Sequence, residues 1–320
     1  MLAAAALYLV LASGKADSVP WEIAERPEGA VRVMVWNVLR GGNEVEDGPD
    51  KALEIIRAAD PDVVLLQESY DIEDDRPQLG IWMAEELGWH TYQGSSPHLN
   101  VLSRWEPSET YFHADWHGLG ARFEPEGHEP FVAYSIWIDW RAYTPYKLRD
   151  EPEATDAELL ACETEESSRY RQARAILAHL RTVGHLEAEV PLLVGGDWNC
   201  PSHLDWTAET EAAIPFRRNL PLPVSRALYS AGFSDAFRLI HPDPVAVPGD
   251  TWSPMYWALD IPEPMDRIDR LYVKNPEAGG YVPVQAFTLP QPYEDPSVAQ
   301  ADRLFPSDHS AVVVDLVWHF

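Results

Sequence analysis

The sequence predicts a single α/β domain whose β-sheets are rich in antiparallel pairs and covered by helices. Three features predict it: short strand-like runs joined at hairpin length, amphipathic helical runs recurring between other strands, and no linker-like stretch. A doubly wound parallel sheet would alternate strand and helix throughout. The 320 residues are 46% hydrophobic and include 13 Trp, enough for a sizeable core.

The elements read in order as follows. "VRVMVWNVLRGG" alternates with period two and ends in glycines, a strand leading into a loop. "DKALEIIRAADPDVVLLQES" gives a helix, a turn at Asp60-Pro61 and a buried strand ending on Gln67 and Glu68. "PQLGIWMAEELGW" is a second amphipathic helix. "HLNVLSRW", "ETYFHA", "GARFEP" and "EPFVAYSIWIDW" are strand-like runs separated by turn residues. Tyr143 to Ser168 reads as an acidic, irregular surface loop with a short helix at "DAELLA". "SRYRQARAILAHLRTV" is a helix, and "PLLVGGDWNC" follows as a short buried strand. "SRALYSAGF" is a further helix; "RIDRLYVK", "YVPVQAFTL" and "SAVVVDLVW" are late strands.

The N-terminus, "MLAAAALYLVLASGKADSVP", carries an apolar stretch from Leu2 to Ala12 that is too short to span a bilayer. Gly14 and Ala16 are small residues placed as before a cleavage site, so residues 1–20 read as a signal-peptide remnant and the protein as secreted or periplasmic. An ordinary N-terminal helix is the competing reading. Residues 21–320 then form one domain with the acidic insertion near 143–168, and no other segment could be transmembrane. The formal net charge is -28, with no basic cluster beyond the short "FRRN" at 216 to 219. That argues against a nucleic-acid partner, which usually meets a basic patch. Cys162 and Cys200 form neither a disulfide framework nor a zinc site; they are either a pair or two separate buried thiols.

Polar residues sit at the ends of five apolar runs. Asn37 follows "VMVW", Glu68 follows "VVLLQ", Asp197 and Asn199 follow "LLVGG", Asp269 lies in "RIDRLYV", and Asp308 and His309 precede "SAVVVDL". In an extended segment Asp197 and Asn199 face one space and Trp198 faces away. If the sheets pack face to face, the five ends converge on carboxylates, two amides and one imidazole. That set suits phosphoester hydrolysis with a hard divalent cation. Glu68 and Asp308 supply oxygen ligands. Asp197 can orient and deprotonate water. The asparagines and a protonated His309 can donate to phosphate oxygens, and Asp269 can hold His309 charged.

"WNV", "QES", "GGDWN", "RIDRLYV" and "SDHSAV" occur in the order found in the endonuclease/exonuclease/phosphatase superfamily, which this chain resembles from about residue 31 to 320. The resemblance implies a four-layer α/β-sandwich, two packed and mostly antiparallel sheets flanked by helices, and magnesium-dependent phosphoester cleavage. It implies Glu68 as metal ligand with Asn37 beside it, Asp197 and Asn199 handling water and phosphate, and Asp269 with His309 as the Asp-His pair preceded by Asp308. Magnesium or manganese is the expected cofactor, with calcium also compatible. The longer "GDWNCPSHLDWT" with "TWSP" looks like a bacterial, often exported branch.

One departure stands out. Many members carry a histidine on the mid-chain strand, where "SIWIDW" here places Trp137, an indole that donates one hydrogen bond but carries no proton to a leaving group. His113, His117 and His203 are the candidate substitutes. Arg104 and Trp252, with Trp137, are candidate substrate contacts; Arg267 could pair with phosphate but reads better as a structural ion pair. The expected activity is therefore a metal-dependent phosphoesterase acting, as a monomer, on a small or lipid-linked phosphoester. The alternatives are a nuclease of the same fold and a binding module in which Trp137 marks lost activity. No G-x-S-x-G elbow, phosphate loop or dinucleotide fingerprint supports another enzyme class.

Overall fold

The structure, a computed structural model, describes residues 19–71, 78–257 and 261–320; the leader-like stretch lies outside the described residues. Twelve strands run in chain order: β1 (Val31–Asn37), β2 (Val63–Gln67), β3 (His90–Gln93), β4 (Leu99–Ser103), β5 (Glu109–Ala114), β6 (Gly118–Phe123), β7 (Phe131–Trp137), β8 (Leu192–Asp197), β9 (Ser234–Asp235), β10 (Asp269–Lys274), β11 (Gly280–Leu289) and β12 (Ala311–His319). The helices among them are α1 (Gly48–Ala59), α2 (Leu79–Leu87), α3 (Thr144–Asp150), α4 (Asp156–Thr164), α5 (Arg169–Thr182), α6 (Ala208–Ala213), α7 (Pro223–Ser230) and α8 (Ala236–Ile240).

The strands form two six-stranded sheets, ordered β11-β12-β1-β2-β4-β3 and β5-β6-β7-β8-β10-β9. Each sheet has one parallel pair, β1 with β2 and β7 with β8; the remaining pairs are antiparallel. The central strands are apolar on both faces because both faces are covered. In β1, Val31, Val33 and Val35 enter the core between the sheets, while Met34 and Trp36 pack outward with Leu53 and Ile56 of α1 and Met83 of α2. In β7 and β8, Phe131, Ala133 and Leu193 face the other sheet, while Tyr134, Ile136 and Val194 pack against Ala173 and Ile176 of α5 and Leu228 of α7. Helix, sheet, sheet, helix is the expected four-layer sandwich.

Gly195 explains the glycine pair before Asp197. A Cβ there would lie 2.6 Å from a methyl of Val35 and 2.7 Å from one of Leu65, so the bare backbone lets the sheets close next to the site.

The stretch from Tyr143 to Ser168 is not irregular. It holds α3 and α4, and α4 starts on a capping box in which the Thr155 hydroxyl accepts from the Glu158 N–H while the Glu158 carboxylate accepts from the Thr155 N–H. Leu148 and Leu159 of these helices form a satellite core with Trp206, Leu220 and Leu222. The buried Arg169 ties the segment down, donating 3.0 Å to Glu163 and capping the Asp139, Arg141, Ala142 and Cys162 carbonyls. Acidic composition masked α3, whereas α4 stands where "DAELLA" predicts a helix.

Candidate active site

Register brings the polar strand ends together. Parallel pairing sets Asn37 beside Gln67, the residue before Glu68. Antiparallel pairing sets Asp269 opposite Asp197, and β12 runs against β1 so that Asp308 and His309, just before it, arrive at the same end. Asn37 is the junction between the two sheets. Its amide nitrogen donates to Glu68 Oε1 at 3.2 Å and to Asp197 Oδ2 at 3.1 Å. The same nitrogen lies 3.4 Å from His309 Nε2.

His309 sits almost fully buried with Nδ1 donating to Asp269 Oδ2 at 2.9 Å. Burial by itself opposes its charge, but Asp269, Asp197 and Asp308 outweigh burial and hold the imidazolium up to a pKa of about 10. A charged His309 cannot accept from Asn37, so both hydrogens of that amide remain for Glu68 and Asp197. The Nε2–H of His309 faces Asp197 at 3.9 Å and Asp308 at 4.0 Å, too far for a hydrogen bond to either, and is suited to an oxyanion placed between them.

Asp197 is buried, and burial raises its carboxyl well above the usual range, against the lowering effect of His309. The N–H of Asn199 donates to Asp197 Oδ1 at 2.8 Å, closing an Asx turn. The Asn199 amide donates to Asp197 Oδ2 at 2.9 Å and to the Ile138 carbonyl at 2.8 Å. With both amide hydrogens engaged, Asn199 here fixes Asp197. Trp198 faces away into the core under α5 and α7, as the alternation of an extended segment requires. Asn199 and Glu68 both adopt left-handed backbone, with φ of 50° and 53°. Such geometry in non-glycine residues costs of order 1–3 kcal/mol each and persists where surrounding structure enforces it.

Asp197, Asp269 and His309 present ligand atoms within 4.8 Å of one another, an acidic cluster with the spacing of a metal site. The protonated imidazole cannot ligate, and Asp269 is committed to it, so the oxygen set of Glu68 and Asp308 is the better seat for a hard cation. Asp308 Oδ1 is buried without a hydrogen-bond partner among the described residues. Burial raises the Asp308 carboxyl to about 7, with His309 opposing and the Glu68 charge adding to the rise. An orphaned carboxylate oxygen beside a second carboxylate fits a divalent cation.

Several residues that position the site were not singled out in the sequence. Thr251 Oγ1 accepts from the N–H groups of Ile268 and Asp269, both at 3.0 Å. Ser307 Oγ donates to the Asn37 carbonyl at 2.5 Å and accepts from His309 N–H at 3.0 Å. Ser253 Oγ donates to the Asp308 carbonyl at 2.8 Å. Only the Ser307 turn, a serine two residues before the histidine, had a local sequence signal.

The candidate substrate contacts separate. Arg104 is at the wrong end of the sheet. Residue Ser103 pairs with Val63 at the start of β2, whereas Glu68 follows its end. The Arg104 guanidinium pairs with Asp60 and Asp62 and lies over Trp89. Arg267 is a structural ion pair, 2.8 Å from both Asp205 and Asp235. Trp252 packs edge-on against His309 at 4.8 Å and donates to Glu263 at 2.8 Å. Trp137 ends β7 directly beside Asp197 in the parallel register. The proposed substitute histidines make their own contacts. His117 bridges the Trp137 carbonyl and Gln172, each at 3.1 Å; His203 bonds Ser225 at 2.8 Å; His113 packs against His179. Both cysteines are free and buried, which selects separate thiols over a pair.

The chain matches the description "Endonuclease/Exonuclease/phosphatase family" over residues 34–309. It is 32% identical over 298 residues to an uncharacterized protein of Caenorhabditis elegans, covering 89% of this chain and 90% of that one. Among solved structures it resembles an endonuclease/exonuclease/phosphatase from Beutenbergia cavernae, with a TM-score of 0.56, 19% identity, and coverage of 92% of this chain and 72% of that one. The human Nocturnin catalytic domain with bound sulfate anion gives a TM-score of 0.57 at 17% identity over 92% of this chain and 97% of that one. An AP endonuclease from Archaeoglobus fulgidus gives 0.56 at 14% identity over 89% and 98%. At such identities the solved structures speak to the fold.

Proposed function

Because the chain belongs to the endonuclease/exonuclease/phosphatase family, we propose that it is a divalent-cation-dependent phosphoesterase acting on a small or lipid-linked phosphoester. The observation that carries this reading is the Asn37 amide held between Glu68 and Asp197, with the His309 imidazolium alongside. Ionised Asp197, held by Asn37 and Asn199, accepts the proton of an attacking water. His309 donates from Nε2 to a phosphate oxygen while Asp269 keeps it charged and oriented. Glu68 and Asp308 would hold magnesium or manganese, which polarises a phosphoryl oxygen when bound; calcium would suit the same oxygens. A sulfate anion, the shape of phosphate, is bound in the Nocturnin structure of the same fold. Preference for small or lipid-linked substrates over nucleic acid rests on the net charge of -28. An exported, monomeric enzyme is the accompanying proposal, with export resting on the leader-like N-terminus alone.

A phosphoester panel tests this: bis(4-nitrophenyl) phosphate, inositol phosphates, lysophospholipids, sphingomyelin and plasmid DNA, each with magnesium, manganese, calcium or chelator. We expect cation-dependent hydrolysis of a non-nucleic substrate, and loss of turnover with weakened cation binding in Glu68→Gln. Metal-independent turnover, or no turnover on any substrate, would overturn the proposal. Efficient plasmid cleavage abolished by Asp197→Asn would replace it with a nuclease.

A further inference from the structure

Three buried ring nitrogens cluster beside the site without a hydrogen-bond partner among the described residues. They are Nδ1 and Nε2 of His98 and Nε1 of Trp137. His98 is only 1% exposed. Burying a polar group unpaired is costly, so such a cluster marks a place where something else supplies the partner. The two rings meet edge to face at 5.0 Å. Trp116 stacks on His98 at 4.0 Å, and Tyr70 lies 5.5 Å from His98 and 5.7 Å from Trp116. Trp116 is 44% exposed, at the tip of the β5–β6 hairpin. The group is therefore a braced aromatic wall with polar nitrogens at its base.

Its position relative to the chemistry is defined. The Asn37 amide separates Asp197, on one side, from Glu68 on the other. Beyond Glu68 come Ser69 and Tyr70, and the Ser69 N–H donates to the His98 carbonyl at 3.1 Å. Tyr70 follows Glu68 by two residues, and Trp137 pairs in register with Asp197, so the aromatic wall borders both carboxylates.

Building on the phosphoesterase reading above, we propose that Tyr70, His98, Trp116 and Trp137 form a substrate subsite for a flat aromatic group that carries a hydrogen-bonding atom on its edge. The ring packs on Tyr70 and Trp116, and its polar edge reaches the nitrogens of His98 and Trp137. Trp137 is held for this role, because His117, fixed by Gln172, bonds its carbonyl. Trp137, anomalous in sequence, then acts in specificity.

Non-hydrolysable phosphonates test the subsite by calorimetry on the wild-type protein with magnesium. Benzylphosphonate should bind roughly tenfold tighter than methylphosphonate, the low end of stacking on an aromatic side chain. 4-Nitrobenzylphosphonate should bind tighter again. Trp116→Leu, at an exposed position, should bring the benzyl gain to within about twofold and leave methylphosphonate affinity unchanged. His98→Phe should keep the benzyl gain and lose the nitro gain. Equal binding of methyl- and benzylphosphonate, or a benzyl gain that survives Trp116→Leu, would overturn the subsite. A nitro gain surviving His98→Phe would overturn the polar-edge contact. Hydrolysis of the panel without an aromatic preference removes the subsite alone, whereas absence of both hydrolysis and phosphonate binding removes the phosphoesterase reading and the subsite with it.

Discussion

Asp269→Asn separates the charge on His309 from its mere presence. In the native protein the imidazolium persists to a pKa of about 10 instead of the ordinary 6.5, although its burial pulls the other way. At about 1.4 kcal/mol per unit, the rise of about 3.5 units corresponds to about 5 kcal/mol in favour of the charged form. Asp269 leads the groups that raise it, ahead of Asp197 and Asp308, and makes the 2.9 Å hydrogen bond. An amide there keeps the shape and loses the charge. We expect the alkaline limb of kcat to fall by roughly 2 pH units and turnover at pH 9 to drop by about tenfold or more. The acid limb, set by ionisation of Asp197, should if anything move toward lower pH, because the Asp269 charge adds to the burial that raises Asp197, so the loss falls on the alkaline side alone. Stability has a defined sign as well. A histidine whose folded pKa is raised stabilises fully below the unfolded pKa near 6.5 and loses that contribution as pH climbs through about 10. Urea unfolding of the metal-free proteins should therefore show a gap on the order of 3 kcal/mol at pH 6 that narrows toward pH 10. An alkaline limb that does not move in Asp269→Asn would refute the reasoning, because His309 would then owe its charge to other groups.

Two further outcomes follow from the same geometry. Asp197 and Asp308 both have carboxyls raised by burial, so cation binding must displace protons; the thermal shift given by magnesium should grow from pH 5 to pH 8, and a pH-independent shift would exclude Asp308 as a ligand. Arg104→Ala should leave kcat and KM unchanged while costing about 0.5–1 kcal/mol in urea unfolding, since its ion pairs with Asp60 and Asp62 lie at the far end of the sheet and partly in solvent.

The strand ends were legible because apolar runs that stop on Asn, Glu, Asp or His have a simple physical reading, and two packed sheets bring such ends together. Asn37, Glu68, Asp197, Asp269, Asp308 and His309 were all found that way. What composition hid was local. The acidic bias of residues 143–168 concealed the short helix Thr144–Asp150, whereas the helix at "DAELLA" was expected and its capping box at Thr155 and Glu158 fixes where it starts. Arg104 was misplaced because a phosphate-binding arginine and an ion-paired one look alike in sequence; only the antiparallel register of β4 against β2 shows that it lies at the other end. Asn199 was read as a phosphate donor, yet its amide is spent on Asp197 and Ile138 through a left-handed turn that no side-chain pattern announces. His98 escaped notice entirely. A histidine at the start of a strand has no sequence signature of being buried without a partner.

The junction at Asn37 also bears on how the chain acquires activity. Its contacts with Asp197 and His309 join positions 160 and 272 residues apart, and β12, the last strand, pairs with β1, the first. A nascent chain emerging from the ribosome therefore holds β1 to β4 of one sheet and β5 to β7 of the other long before it can hold the pocket. Loop-closure entropy for such distant pairings must be overcome before any contact repays it, which makes folding slow and exposes sheet edges in the interval. Chains that stop before residue 309 lack His309 and the strand that follows it, so the candidate site would be incomplete in them. Appearance of turnover during refolding would thus report the final docking of β12, later than burial of Trp198 within the second sheet's own helical layer.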